Sequence, residues 1–311
     1  MKRKCNWLAA ILFLVLLCGC DGRQGDLLLA QAIYQEQEAQ AVQLRILCLK
    51  SEPSANAEDA QPKPVLLAGK GVTLEEAWQA AQQQAGGQVF LGQCRVWMLG
   101  LGQAKQLNPE DAEFWMQQDP GCGSMDLWLV DVSPQALDEP EQPTALADAV
   151  ENVQEDSPAY LAAGQELLLL PQVKLSAAAA KEEAEVLYRA GRPVLRWAGA
   201  ERAMALWMQG TAQTLTFRRE NGSFAVKRPM CTIAAEDGEL VFQLEGRLEE
   251  PKKTSVLSKA QTEQWLQTVA EEVLEQTQAA GADWFCIQGQ LRQRTGNEKG
   301  RTRVQVRLVA D

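Results

Sequence analysis

Eight cysteines carry the most versatile chemistry of this chain, because a thiol can ligate a metal, form a disulfide, act as a nucleophile or carry a lipid. A disulfide scaffold or a zinc site would need denser and more regular spacing than the five cysteines that follow the N-terminal segment show. We expect most of these five to be small apolar core residues that bind no metal, with Cys122, which lies between two glycines, the most exposed. The five are Cys48, Cys94, Cys122, Cys231 and Cys286.

Catalytic constellations are scarce elsewhere in the sequence. The chain contains no His, which removes Ser-His-Asp and Cys-His catalysis and His-ligated zinc. It has no P-loop, no strand-anchored G-x-G-x-x-G, no G-x-S-x-G and no EF-hand spacing. The carboxylate pairs Glu75/Glu76 and Glu249/Glu250 fit a helix start and a strand end, where acids are solvated. We therefore expect no catalytic residue, metal or cofactor, and a carboxylate-dependent hydrolase ranks as the third hypothesis.

The N-terminus combines a basic start with a short apolar run. Three basic residues precede the run Trp7–Leu17, which is too short to span a bilayer and fits the hydrophobic region of a secretory signal. The run leads into Cys18-Gly19-Cys20, which resembles the bacterial lipobox. That resemblance implies cleavage between Gly19 and Cys20, removal of residues 1–19, and a diacylglycerol, with or without an N-acyl chain, on Cys20. An ordinary signal peptide or a buried apolar helix is the alternative.

Length and charge set further limits. The 311 residues, 46% of them apolar, suffice for about two domains with packed cores. The net charge of −11 argues against a nucleic-acid partner, which would favour a basic domain. Without residues 1–19, which hold three basic and no acidic residues, the charge becomes −14. Such a chain is not attracted to anionic headgroups, so the lipid itself must provide the anchoring.

Hydrophobic periodicity predicts an α+β chain in which antiparallel sheets with one covered face pack against helices. We place the N-terminal region at 20–185, with a linker near 133–143 that could divide it into two subdomains, and a C-terminal α+β domain at 186–311. Capping residues predict helices that begin at Thr73 and Asn108. The predicted strands cover 27–34, 41–49, 88–100, 125–132, 194–197, 215–217, 224–226, 240–248 and 304–308, with a helix at 200–208 and a long amphipathic helix at 257–280.

Two segments stay ambiguous at this point. The apolar run Leu167–Leu170 is interrupted by Pro171, and the Ala- and Glu-rich stretch Ala177–Leu187 suits either a helix or a helix followed by a strand.

Basic residues are concentrated near the C-terminus of an otherwise acidic chain. Arg218/Arg219 and Lys227/Arg228 flank the predicted turn at Asn221-Gly222. Such clustering indicates a candidate partner surface, or else an exposed strand face that charge protects from edge pairing. The second group, in the last 20 residues, comprises Arg292, Arg294, Lys299, Arg301, Arg303 and Arg307.

Several segments, in order, resemble the Ger(x)C family of spore germinant receptor C-subunit lipoproteins. The lipobox Cys is followed by Asp26-Leu27 and the strand residues Ala30–Ile33, and the helix opening Gly71-Val72-Thr73 precedes Glu76-Ala77. The next strand, Val89–Val96, resembles the family's "lf-x-G-H/Q-x-x-v" pattern, and Arg192–Trp207 is a weaker echo of its central strand and helix. At the C-terminus the corresponding segments are Leu244-Glu245-Gly246, the long helix and Asp283–Gly289, the last matching a strand start. The chain departs from the family in lacking the Trp after the lipid Cys and in being short.

The resemblance implies a non-enzymatic subunit of a nutrient germinant receptor, built from several small α+β domains. It implies attachment through the Cys20 lipid to the outer face of the spore inner membrane. It also implies membrane-embedded and larger receptor subunits as partners, with a role in assembly or in relaying the germination signal. The alternative is a stand-alone envelope lipoprotein that binds a small molecule or a cell-wall component.

Overall fold

The computed structural model describes residues 27–50, 63–138, 166–176, 179–210, 212–219, 222–249, 258–295 and 300–310. Within these residues the chain forms two sheets and six α-helices, which confirms the α+β class. The first part contains β1 Leu27–Glu38, β2 Ala41–Lys50, β3 Lys63–Gly71, α1 Leu74–Ala85, β4 Gln88–Phe90, β5 Val96–Gly100, α2 Pro109–Gln118, β6 Asp126–Val130 and α3 Pro134–Leu137. The second part contains β7 Leu167–Ser176, β8 Ala179–Arg189, β9 Arg192–Ala198, α4 Gly199–Gln209, β10 Thr214–Arg219, β11 Gly222–Glu236, β12 Glu239–Glu249, α5 Lys259–Ala279, α6 Ile287–Thr295 and β13 Thr302–Ala310.

The first sheet is mixed, and the expectation of antiparallel sheets is wrong for its centre. Its order is β3-β2-β1-β5-β6-β7-β8-β9, with β4 paired to β1 outside that path. The pairs β1–β4, β1–β5, β5–β6 and β6–β7 are parallel. Every residue of β5 and β6 is buried, because hydrophobic clusters cover both faces of these strands. Burial on two faces is the usual condition of parallel strands.

The second sheet has the order β10-β11-β12-β13, and its last pair is parallel. One face packs against α4 and α5 around a core that includes Trp207, Phe217 and Leu266. Gly246 permits the close approach of this layer, since a Cβ there would lie 2.3 Å from Val226 Cγ1 and 3.1 Å from Trp207.

The two faces of strand β8 pack into different hydrophobic cores, so this strand is shared by both. Val186 and Tyr188 belong to the core of the first sheet, whereas Leu187 points to the opposite face and joins the core that contains α4 and α5. The predicted boundary between residues 185 and 186 therefore falls within a continuous strand that is paired on both sides.

Local capping rules predict the helix ends well. Thr73 accepts a hydrogen bond from the Glu76 amide at 3.2 Å, and α1 ends at Gly86, which adopts a left-handed φ of 62°. Asn108 caps α2, and Ser258 forms a complete capping box with Gln261 at the start of α5. These interactions satisfy amides that the first helical turn leaves without partners.

Several segments differ from the sequence-based expectation. Strand β7 continues through Pro171, beside a bulge at Gln172/Val173. The stretch 177–187, left open between a helix and a helix followed by a strand, is strand β8 from Ala179 onward. The single strand expected at 88–100 is divided into β4 and β5. Within the expected linker, Pro134–Leu137 form the helical turn α3, whose Leu137 is buried against the first sheet.

Asp283–Gly289 is also not the beginning of a strand. The Asp283 carboxylate accepts hydrogen bonds from the amides of Ile287 at 2.5 Å and Gln288 at 3.1 Å. These bonds lie at the N-terminal end of α6, where free amides favour an anionic acceptor.

Candidate functional site

The face of the second sheet opposite α4 and α5 is open, and we call it the open face. Along β13, Val304 and Leu308 point into the core, whereas Arg303, Gln305 and Arg307 alternate with them on the open face. This alternation is the one predicted from the sequence. The parallel register places Gln243 beside Gln305 and Glu245 beside Arg307.

Arg303 is held by acids of the β11–β12 turn. Its guanidinium lies 2.5 Å from Glu236 and 3.6 Å from Glu239. Because these side chains are partly solvated, the ion pairs contribute little to stability, on the order of 0–1 kcal/mol. They do fix the guanidinium in one position at the edge of the open face.

The five predicted arginines do not share one surface. Arg292 and Arg294 are on α6, whose Ile287 and Leu291 pack into the core on the other side of the sheet. Arg294 donates to the Ile233 carbonyl at 2.6 Å, so it fastens α6 to β11. Arg301 is exposed just before β13, and its carbonyl accepts from the Leu240 amide.

The basic residues beside the turn between β10 and β11 also lie on different faces of the second sheet. Arg218 lies on the open face, whereas the neighbouring Arg219 is on the covered side, with its guanidinium 4.4 Å from the centre of the Trp265 ring. Lys227 pairs with Glu249 at 2.8 Å on the open face. The sheet thus brings Arg218 and Lys227 onto the same face as Arg303 and Arg307. The sequence analysis did not predict this arrangement, because the two pairs lie far apart in the chain.

The bulge of β11 adds a feature that the sequence analysis missed. At the bulge Arg228 adopts a positive φ of 49°, and Met230 is 56% exposed. A shallow groove of about 490 Å³ lies here, lined in part by Lys227, Arg228 and Met230. An exposed Met beside cationic side chains suits contact with a protein partner.

A largely buried ion pair connects helix α4 to strand β8. Arg202 of α4 lies 3.0 Å from Glu185 of β8 and also contacts the more exposed Glu182. Burial raises the pKa of Glu185 to about 7 and lowers the pKa of Arg202. The pair joins helix α4 to strand β8, a contact that the sequence analysis did not predict.

A second buried polar cluster surrounds Asp111. Its carboxylate accepts from Gln35 at 2.6 Å, Gln103 at 2.8 Å and Asn108 at 3.3 Å, and burial raises its pKa. The amide oxygen of Gln35 in turn accepts from the indoles of two tryptophans. These bonds tie α2 to β1 and β5, which is a structural role.

Cys48, Cys94 and Cys122 belong to the core of the first sheet, and among the described residues no group of three or more Cys, Asp or Glu could hold a metal. The prediction that Cys122 is the most exposed thiol is wrong: the turn at Pro120–Ser124 buries it completely, and burial raises its pKa to about 12. Cys48 and Cys94 are also buried and Cys231 is half-buried, whereas Cys286 is exposed. All five are unpaired.

Gly19, Cys20 and the whole N-terminal signal lie outside the described residues, as does Lys299. None of the helices in the described part is long and apolar enough to cross a bilayer.

Comparison with known proteins gives a fold relationship. No family model matches the sequence, and no curated protein matches it. Among solved structures, the chain is similar to the crystal structure of the GerBC protein, with a TM-score of 0.51 and 14% sequence identity. The match covers 89% of this chain and 96% of that one. The fold is therefore of the Ger(x)C type, as the sequence resemblance implied.

Proposed function

We propose that the chain is a lipid-anchored, non-enzymatic subunit of a spore germinant receptor, acting in receptor assembly or in relaying the germination signal. The observation that carries this proposal is the fold match with GerBC, which extends over almost the full length of both chains. The lipobox-like Cys18-Gly19-Cys20 supports attachment to the outer face of the spore inner membrane. The partners would be the membrane-embedded and larger subunits of the receptor.

The open face of the second sheet is the contact surface that we assign to those partners. Three of its strands, β10, β11 and β13, expose Arg218, Lys227, Arg303 and Arg307 on it, together with the apolar Met230. Acidic residues lie beside three of these cations, namely Glu236 and Glu239 beside Arg303, Glu249 beside Lys227 and Glu245 beside Arg307. This mixture of charged and apolar side chains suits a partner surface with complementary charges. The arginines of α6 would lie outside this contact.

Charge reversal tests the assignment. Arg303→Glu combined with Arg307→Glu should abolish co-purification with the membrane subunits, because two cations would be replaced by anions at the interface. Lys70→Glu with Lys105→Glu is the matched control, since both lysines are exposed on the first part of the chain and the charge change is the same. Unchanged co-purification of the Arg303/Arg307 variant would leave these arginines with a solubility role.

The anchor is tested separately by Cys20→Ala. We expect the variant to lose its acyl label and to move from the membrane fraction to the soluble fraction. If it stays in the membrane fraction, the lipoprotein assignment is wrong. A gene neighbourhood without a multi-spanning, permease-like subunit, in an organism that never sporulates, would refute the receptor assignment.

A further inference from the structure

The end of the first sheet at which β1 begins exposes large apolar side chains. Strand β1 starts at Leu27, and the register places Lys50 opposite Leu28 and Lys63 opposite Lys50. Strand β4 begins here too, with Gln88 beside Leu27. The first residues of β1, β3 and β4 and the last residue of β2 therefore form one end of the sheet, which we call the proximal end.

Apolar side chains cross the proximal end on one face. Phe90 and Leu49 both pair with Leu29, and Pro64 pairs with Leu49, so these four side chains form a row across four strands. Phe90 is 40% exposed and Leu27, two residues before Leu29 on the same face, is 45% exposed. Leu29, Leu49 and Pro64 are only half-buried. Exposed apolar rows of this kind mark contact surfaces.

The sequence places a lipid close to this row. Seven residue steps separate Cys20 from Leu27, so even a fully extended connection spans only about 24 Å. Strand β1 extends for about 37 Å in the other direction, at roughly 3.4 Å per residue. The proximal end is therefore the part of the first sheet that an anchor at Cys20 keeps nearest the bilayer.

Charge does not favour a contact between the proximal end and a bilayer. Lys50 and Lys63 are exposed at the proximal end, but Asp119 lies near Gly92 beside Phe90. The segment 51–62, which joins the two lysines and lies outside the described residues, contains three further acidic residues. These four acidic residues outnumber the two lysines, so the apolar row and the lipid on Cys20 have to supply the affinity.

We propose that the proximal end rests on the lipid bilayer, with Leu27 and Phe90 entering the headgroup region. The proposal depends on the lipidation of Cys20 proposed above, because one apolar row without a lipid chain would give only transient binding. The proposal fixes the orientation of the subunit. The proximal end contacts the membrane, and the opposite end of the sheet, where β1 ends at Glu38 and β3 ends at Gly71, points away from the membrane.

Val72 provides a matched control for the test. It is the most exposed of the large apolar side chains in the described part of the chain, at 72%, but it follows β3 at the opposite end of the sheet. The variants Phe90→Cys and Val72→Cys, each combined with Cys286→Ser, accept a polarity-sensitive thiol fluorophore at the new position. The remaining thiols react slowly, because burial raises the pKa of Cys48, Cys94, Cys122 and Cys231.

The labelled full-length lipoprotein is reconstituted into vesicles of phosphatidylcholine with a minor fraction of phosphatidylglycerol and nitroxide-labelled headgroups. Since interfacial side chains penetrate roughly 5–10 Å, we expect the probe at 90 to shift to the blue and to be quenched at least about twofold more than the probe at 72. Omission of phosphatidylglycerol should leave this difference in place.

Vesicle flotation separates the two ways in which the idea could fail. A chain that does not float with the vesicles overturns both the lipid anchor and this orientation. A chain that floats, but whose probes at 90 and 72 show the same water-like emission and equal quenching, overturns the orientation alone and leaves the proposed function intact.

Discussion

The buried pair between Arg202 and Glu185 predicts a pH-dependent stability. Burial raises the pKa of Glu185 from an ordinary value of 4.5 to about 7. Between these two pH values the folded chain retains a proton that the unfolded chain has lost. The stabilisation from this carboxyl is therefore complete below the unfolded pKa and is lost as the pH rises through the folded pKa. At higher pH, the ionised Glu185 depends on the guanidinium 3.0 Å away.

Replacement of Arg202 by Ala removes that guanidinium and raises the pKa of Glu185 further. Buried Glu residues reach a pKa of roughly 9, so the variant should lose about 1.4 kcal/mol per pH unit relative to the wild type between pH 7 and 9. The accumulated loss is about 2.7 kcal/mol at pH 9. Below pH 7, Glu185 is protonated in both proteins, and only the lost stem packing and the partly exposed contact with Glu182 remain, worth about 1 kcal/mol.

Urea unfolding, followed by tryptophan fluorescence, measures these differences in a chain that begins at residue 20 and carries Cys20→Ser. The double variant Arg202→Ala/Glu185→Gln should lose the extra pH dependence, because it has no carboxyl to titrate. Lys227→Ala, which removes a half-exposed pair with Glu249, should cost less than about 1 kcal/mol at every pH. An equal destabilisation by Arg202→Ala at pH 6 and pH 9 would refute the reasoning.

Three further outcomes follow from the packing. Leu187→Ala, in the strand shared by the two cores, should cost about 2–5 kcal/mol and leave one cooperative urea transition; two separate transitions would show independent halves. Gly246→Val should lower stability by at least about 1–3 kcal/mol, measured by thermal unfolding, because its side chain would collide with Val226 and press on Trp207. A thiol reagent should label Cys286 in the native chain, whereas Cys122 should react only after unfolding; fast native labelling of Cys122 would contradict its burial.

Local patterns predicted the elements of the second sheet because their signals lie within a few residues. The alternation of Val304 and Leu308 with Arg303 and Arg307 identified both the strand and its two faces. The cap at Ser258 and the two apolar rows of α5 have the same short range. Interactions of this kind are fixed by backbone geometry, so they are readable without the rest of the chain.

The shared strand β8 shows where local signals fail. Its sequence favours a helix, since Ala, Lys and Glu have high helix propensity. Pairing on both sides and burial of Leu187 and Tyr188 in two different cores outweigh a propensity difference of a few tenths of a kcal/mol per residue. The same context carries β7 through Pro171, beside a bulge where the missing amide is tolerated.

The sequence by itself determined the chemical character of the protein: no histidine chemistry, a lipobox-like cysteine, an acidic chain with basic residues near its end, and the α+β class. Only the tertiary structure decided which of those residues act together. It placed Arg303 and Arg307 on one face with Arg218 and separated them from Arg294, and it buried Cys122. The physical reason is that strand pairing and core packing join residues far apart in the chain, whereas composition and periodicity report only on near neighbours.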